Sequence, residues 1–270
     1  MSNSIEFFVA DICSNLSLEN NQLKNDISLN FFEPISLDLT PPDIGDVYLS
    51  IISALFGFSM LLLLLTLKNS SLPSWGIRKI VHLIGGVYVA IIVFCFQSML
   101  GILMAICLFI LIFLILLIFS RFKILKQFFM LNCRNGENRF TFLINTTITL
   151  LVLFSLVLIF HDFPVCFTAG ALTISLADTA GEVFGRKLPI IKYKVFNEKS
   201  IFGSISVMIF SILSLIISAL VYGYTLDINW LWKLIIGGIA CSVIEAVSWK
   251  WSDNLFLPII SSLFMFWLII

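Results

Sequence analysis

Residues 175–204 read SLADTAGEVFGRKLPIIKYKVFNEKSIFGS and set a dense group of charges between two apolar runs. The charged residues of this segment are Asp178, Glu182, Arg186, Lys187, Lys192, Lys194, Glu198 and Lys199. Only 12% of the 270 residues are charged, whereas 60% are hydrophobic. Charge placed beside a membrane span in such a chain indicates function. Residues 177–204 are therefore predicted to form the functional loop at a membrane face.

The apolar runs outside this loop predict an all-α polytopic integral membrane protein with about eight transmembrane helices. A helix needs about 20 apolar residues to cross a bilayer, and most of the runs reach that length. The predicted spans are residues 47–67, 80–96, 99–119, 140–160, 165–177, 201–222, 230–249 and 255–270. The fifth and the eighth are short, so each is expected either to be re-entrant or to extend as a helix into the loop.

The segment before the first span differs in composition from the rest of the chain. Residues 1–46 are acidic, carry Lys24 as their single base and contain Pro34, Pro41 and Pro42. They are predicted to be a partly disordered N-terminal lead-in. Residues 47–270 are predicted to form one multi-span membrane domain. The six cysteines include no CxxC pair and there are only two histidines, so a cysteine or histidine metal centre is not expected.

The basic residues predict which side of the membrane carries the functional loop. With eight crossings, the loops after the first, third, fifth and seventh spans share one side. All 16 basic residues except Lys24 and Lys233 fall at these loops. The positive-inside rule makes this side cytosolic, which puts the acidic N-terminus outside. The net charge of zero says nothing about partners; the lipid bilayer and a lipid substrate are the expected partners, and no nucleic acid is expected.

Asp178 and Glu182 are four residues apart, so a helix that continues into the loop places both carboxylates on one face. Carboxylates at the membrane edge can hold Mg²⁺, which prefers oxygen ligands and keeps phosphate oxygens in its shell. Both residues are therefore predicted metal ligands. Gly181, which is predicted to contact the nucleotide, lies beside them with Gly185, and the alternative interpretation of this pair is a Gly-x-x-x-Gly contact between helices.

The basic residues that follow are predicted to bind phosphate. Arg186 and Lys187 supply positive charge, and Lys199, Ser200 and Gly203 add a cation, a hydroxyl and a position where a backbone N–H can approach closely. The helix that starts here adds a favourable dipole. Simple positive flanking of a span explains some of the bases, but it does not explain the carboxylates among them.

Two further segments bring polar groups to the same side. The sequence RKIVH at residues 78–82 places Arg78 and His82 on one helix face, with Lys79 beside them. They are predicted to contact phosphate or to handle a proton, or else to be an interfacial anchor. Glu245 lies near the end of the seventh span, and Asp253 and Asn254 open the eighth. A carboxylate inside a span indicates function.

Taken in order, these segments resemble the family of CTP-dependent lipid-alcohol kinases, which includes dolichol kinase, phytol and farnesol kinase and the CTP-using diacylglycerol kinase. The resemblance covers the chain from about residue 75 to its end. It rests on RKIVH (78–82), ADTAGEVFGRK (177–187), NEKSIFGS (197–204), Glu245 and DNLFLP (253–258). The family usually has glycine at the position of Ala177. The oligomeric state stays open, with a homodimer as one option.

The resemblance implies that Asp178 holds the metal and the nucleotide phosphates, and that Lys199, Ser200 and Gly203 cradle the phosphates. Glu245 and the pair Asp253 and Asn254 complete the polar site, with Asp253 and Asn254 as further predicted metal ligands. The expected reaction moves the γ-phosphoryl group of CTP, with Mg²⁺, to the hydroxyl of a long-chain isoprenoid alcohol. The base is left open between a carboxylate and His82.

Two other functions compete with this one. A phosphatidate cytidylyltransferase shares the style of the loop, but its C-terminal signature of basic and acidic residues is missing here. A transporter predicts polar residues at mid-membrane depth, whereas here they crowd at one face. The kinase is expected in the endoplasmic reticulum membrane if the chain is eukaryotic, and in the plasma or thylakoid membrane otherwise.

Overall fold

The computed structural model is a helical protein with one short hairpin. It describes residues 40–67, 70–119, 122, 133, 139–188, 190–196, 198–248 and 252–270. Most of the predicted N-terminal lead-in and most of the basic segment 121–139 lie outside the described residues. The elements are α1 (Ile44–Leu67), α2 (Ser74–Cys95), α3 (Met99–Ile118), α4 (Arg139–Ile159), α5 (Pro164–Leu172), a π-helical turn (Thr173–Ala177), α6 (Asp178–Lys187), β1 (Lys192–Lys194), β2 (Glu198–Ser200), α7 (Ile201–Val221), α8 (Ile228–Val247) and α9 (Asp253–Ile269).

The prediction of an all-α membrane protein is confirmed at the level of its helices. In the described part of the chain, five helices are long and apolar enough to cross a membrane: α1, α2, α3, α7 and α8. Two shorter apolar helices cover Ile144–Ile159 and Asn254–Ile269. The number of eight crossings and their orientation stay predictions.

The second helix starts six residues earlier than its apolar run. The sequence placed Arg78 and Lys79 in a loop before residue 80, but α2 begins at Ser74. Pro73 precedes it in an extended conformation, which suits a residue that cannot continue a helix backwards. A helix end is set by backbone geometry, whereas an apolar run stops at the first charge. Both basic residues consequently lie within α2, in register with His82.

The fifth apolar segment continues as a helix into the loop. Leu172, Thr173, Ala177 and Asp178 all have right-handed helical backbone angles, so α5, the π-helical turn and α6 form one rod of about 36 Å. This is the second of the two alternatives for the fifth segment, and it places Asp178 and Glu182 on one helix. Every residue of α5 is buried, which makes this rod the centre of the helix packing.

Five helices form a ring. Helix α1 packs against α2, α2 against α5, α5 against α4, α4 against α3, and α3 against α1. The ring leaves a cavity of about 420 Å³ between its members. On the other side of the central rod, α7 packs against α6 and α8, and α9 packs against α5 and α8.

Asp46 closes the end of the ring that lies away from the charged loop. Although the sequence placed it in the lead-in, it lies in the first turn of α1 and is buried. Its carboxylate accepts hydrogen bonds from Gln97 N at 3.1 Å, Ser98 N at 3.2 Å and Ser98 Oγ at 2.5 Å. The turn between α2 and α3 is thereby tied to α1.

Candidate functional site

An ion cluster with a buried centre, Lys79 and Asp178, joins α2 to α6. Lys79 Nζ lies 2.5 Å from Asp178 Oδ2 and 3.2 Å from Glu182 Oε2. Arg78 Nη2 donates to both Glu182 oxygens at 3.0 and 3.1 Å. Arg186, one turn after Glu182, donates to Glu182 Oε1 through Nε at 3.0 Å and Nη2 at 2.8 Å. Three cations face two carboxylates, which leaves one net positive charge.

Helical spacing explains why these residues meet. Asp178, Glu182 and Arg186 follow each other at intervals of four, so they share one face of α6. Arg78 and Lys79 lie in the second turn of α2, where the rod formed by α5 and α6 runs alongside. Arg186 also stacks on the ring of Trp75, 5.1 Å from its centroid. Sequence reasoning missed Trp75, although it lies four residues before Lys79.

The electrostatics of the cluster favour the ionised form of Glu182. Helix α6 lies outside the five candidate spans. Burial raises the pKa of Glu182, but attraction by Lys79 and Arg78 exceeds that effect, so the pKa lies below its usual range. Glu182 is charged at neutral pH for this reason. The two carboxylates can lie close together because Lys79 bridges them.

His82 lies one turn after Arg78 in α2, and its ring also lies beside Asp178. Its Nε2 is 3.0 Å from the Ile174 carbonyl oxygen and 3.6 Å from Asp178 Oδ2. A carbonyl can only accept, so Nε2 carries the proton in that bond. Ile174 belongs to the π-helical turn, a feature that is frequent at functional sites. The turn therefore positions the histidine beside Asp178.

A second group of predicted residues surrounds the start of α7. Lys199 on β2 pairs with the buried Glu245 of α8. The Ser200 hydroxyl caps α7 by accepting from Gly203 N at 3.1 Å. This pairing across the hairpin and α8 was not apparent from the sequence, which placed the two charges 46 residues apart.

The predicted glycines lie where α6 and α7 touch. A Cβ on Gly203 would come within 3.0 Å of the Gly181 carbonyl oxygen and 3.3 Å of Gly185 Cα. A Cβ on Gly181 would meet Val207 at 2.6 Å. Close helix contact, the alternative that the sequence left open, is thus present at all three positions. Gly181 and Gly203 remain predicted nucleotide-binding residues without a test.

The residues predicted to bind metal come together only in part. Asp178 and Asn254 line the same cavity, and Glu182 lies one turn from Asp178. The side chain of Asp253 lies outside the described residues, and Lys187 is exposed in the last turn of α6. Within the described ranges, no group of three or more His, Cys, Asp or Glu could hold a metal ion. One or two carboxylates fit Mg²⁺ that arrives bound to phosphates.

The cavity inside the ring begins at the ion cluster and continues along apolar side chains. Its polar lining residues at one end include Arg78, Lys79, His82, Asp178 and Asn254. The remaining lining is mainly aliphatic and aromatic, and on α2 it extends to Val93 and Phe96. The ion cluster therefore lies at one end of a cavity that is otherwise mainly apolar.

Helix α4 contributes polar residues to this cavity that the sequence did not single out. Asn145, Thr146 and Thr149 line it, and Asn145 Oδ1 is buried without a hydrogen-bond partner in the structure. The end of α4 leads through a short turn into α5, which runs towards Asp178, so the start of α4 lies at the charged end. An amide within an apolar run was the signal that could have identified Asn145.

Comparisons with family models, with curated proteins and with solved structures find no match for this chain.

Proposed function

We propose that this protein is a kinase that transfers the γ-phosphoryl group of CTP to the hydroxyl of a long-chain isoprenoid alcohol at the cytosolic membrane face. The observation that supports the proposal is the continuity between the ion cluster and the apolar cavity. A polar nucleotide and a lipid alcohol have opposite solubilities, and such an arrangement lets them meet at one boundary.

The cations of the site act on phosphate. Arg78, Lys79 and Arg186 carry one charge more than the two carboxylates they face, which favours an incoming anion. Phosphoryl transfer depends mainly on positioning and on neutralising charge, and fixed cations provide both. Asp178 would hold Mg²⁺, which would supply further positive charge for the phosphates. Lys199 lies on the second strand of the hairpin, directly before α7. Lys199 and the start of α7 would bind the remaining phosphates.

The reaction forms one phosphorus–oxygen bond and breaks another, and it moves one proton. The alcohol oxygen attacks the γ-phosphorus, the bond from that phosphorus to the β–γ bridging oxygen breaks, and CDP leaves. The hydroxyl proton goes to a base at the polar end of the cavity. Either Asp178 or His82 can be this base. In the histidine the accepting atom would be Nδ1, because Nε2 donates to the Ile174 carbonyl oxygen.

Labelled nucleotide tests the reaction directly. Purified protein in detergent receives a mixture of dolichol, phytol, farnesol, diacylglycerol and phosphatidic acid, with CTP labelled at the γ or the α phosphate and ATP in parallel. The proposal expects label in the lipid from the γ position only. Label from the α position would make the protein a cytidylyltransferase, and no label from either nucleotide in folded protein would favour a transporter.

Two variants with the same substitution assign the activity to the site. Asp178→Asn removes the carboxylate of the cluster and is expected to abolish transfer. Asp227→Asn changes an exposed residue that caps the start of α8, and it should retain activity. Full activity in Asp178→Asn would contradict the assigned role.

A further inference from the structure

The cavity inside the ring has the length and volume of one lipid chain. Its lining extends from Arg78 on α2 to Phe96, the residue directly after that helix, and at about 1.5 Å per residue these lie about 27 Å apart. A staggered hydrocarbon chain, with carbon–carbon bonds near 1.5 Å, advances about 1.25 Å per carbon. The cavity is consequently long enough for a chain of about 20 carbons.

The volume gives a similar limit by a separate route. An engineered cavity of about 150 Å³ binds benzene, which has six carbons. The present cavity measures about 420 Å³, and the same ratio allows about 17 carbons. A lipid with two long chains exceeds this volume roughly twofold, so the space suits a lipid with a single chain.

The end of the cavity that lies away from the charges is closed. Phe96 and Ile102 line it there, and both are buried. The next layer is the hydrogen-bonded group in which Asp46 holds the turn between α2 and α3. A chain that enters from the charged end therefore meets a floor fixed by buried hydrogen bonds.

The charged end of the cavity suits a hydroxyl group. Asn145 Oδ1 lines the cavity near the ion cluster and lacks a donor in the structure. Buried polar atoms are nearly always hydrogen-bonded, and a hydroxyl both donates a proton and keeps a small, uncharged head. A bound alcohol would satisfy this oxygen and hold its own oxygen near Asp178 and His82.

We infer that the cavity binds one isoprenoid alcohol with a chain of about 15–20 carbons, and that its closed floor excludes much longer chains such as dolichol. The inference deepens the proposed function, on which it rests for the reaction at the hydroxyl. It narrows the acceptor to alcohols the size of farnesol, phytol or geranylgeraniol.

Gly85 is the position at which the length of the cavity can be changed. It lines the cavity, and a Cβ built on it meets nothing within 4 Å. It lies about 10 Å from Arg78 along the helix, so a large side chain there would block the deeper part. Ile84, its neighbour, is exposed and is not among the residues that line the cavity, which makes Ile84→Phe a matched control.

A binding assay without nucleotide tests the inference. Purified protein in detergent binds tritiated geranylgeraniol, and unlabelled geraniol, farnesol, geranylgeraniol and dolichol compete for it. Farnesol and geranylgeraniol should compete at least about tenfold better than dolichol, because a chain longer than the cavity cannot be accommodated while its hydroxyl stays at the charged end. Gly85→Ala, Gly85→Leu and Gly85→Phe should weaken geranylgeraniol binding in that order, reaching at least about tenfold with Phe.

The same assay separates the two proposals. Tritiated geraniol, whose shorter chain fits above the block, should still bind to Gly85→Phe, which also shows that the variant is folded. If Gly85→Phe does not fold, the smaller substitution Gly85→Ala still tests whether a side chain at this position weakens geranylgeraniol binding. Equal competition by dolichol, or unchanged geranylgeraniol binding across the Gly85 series, would overturn the inference even if γ-label transfer is observed. The expected binding pattern without label transfer would instead retain the inference and reject the kinase.

Discussion

Two lysine–carboxylate pairs in this protein have similar lengths but differ in burial, and they allow the energetics of the ion cluster to be tested. Lys79 and Asp178 are 2.5 Å apart, and their side chains are 5% and 10% exposed. Lys192 and Glu198 are 2.8 Å apart, but their side chains are 56% and 63% exposed. The buried pair should contribute far more to stability than the exposed one.

Removing one partner of a buried pair leaves a charge that is neither solvated nor matched, which costs about 3–5 kcal/mol. Lys79→Met is expected to lower the free energy of unfolding by that amount, because it removes the cation next to Asp178 and a contact of Glu182. Lys192→Met should leave stability unchanged within error, since water and salt screen its pair. The double variant Lys79→Met/Asp178→Asn should be at least about 2 kcal/mol more stable than Lys79→Met alone.

The measurement is unfolding in mixed micelles of a mild detergent and SDS, followed by tryptophan fluorescence. The wild type, the two single lysine variants, Asp178→Asn and the double variant complete a mutant cycle with its exposed control. Equal unfolding midpoints for Lys79→Met and Lys192→Met would refute the reasoning. Additive effects of Lys79→Met and Asp178→Asn would show that the two side chains do not interact in the folded protein.

Three further predictions concern stability. Neighbouring cations hold the pKa of Glu182 below its usual range despite burial. The stabilising effect of Glu182 is therefore complete above the ordinary glutamate pKa and is lost as pH falls through the lowered value. Glu182→Gln should flatten the acid side of a plot of unfolding midpoint against pH. Asp46→Ala leaves the buried N–H and hydroxyl of Ser98 without their acceptor and should cost about 2–4 kcal/mol in SDS unfolding. Gly203→Ala forces a Cβ against the carbonyl of Gly181 and should cost about 1–3 kcal/mol, whereas Gly76→Ala, with an ordinary 3.6 Å contact, should cost little in the same measurement.

The sequence predicted the features that depend on local patterns. Apolar runs located the helices to within a few residues, with α2 as the exception, because its first turns carry Arg78 and Lys79. A spacing of four placed Asp178 and Glu182 on one helix face. The sequence could not predict which cations would neutralise them, because Lys79 and Asp178 are separated by 99 positions and meet only when α2 packs beside the central rod.

The cavity was beyond prediction for a related reason. An apolar span looks the same whether its residues face lipid, another helix or an empty space. Gly85 could have been a helix contact like Gly86, whose Cβ would overlap Ser175. Only closure of the five-helix ring distinguishes the two glycines. Asp46 likewise read as one of many acidic residues in a polar segment, and its burial depends on the turn between α2 and α3.

The pairing within the ion cluster stabilises the fold and, under the proposed function, also prepares the site for its substrate. Lys79 and Arg78 neutralise the carboxylates of α6, so the buried carboxylate of Asp178 does not lack a counter-charge. Under the proposed function, an incoming phosphate would draw on cations that folding has already largely removed from water, which would reduce the cost of binding. The carboxylates would then be available for Mg²⁺ or for a hydroxyl proton. The same ion pairs would in this way serve both the stability of the fold and the proposed phosphoryl transfer beside the cavity.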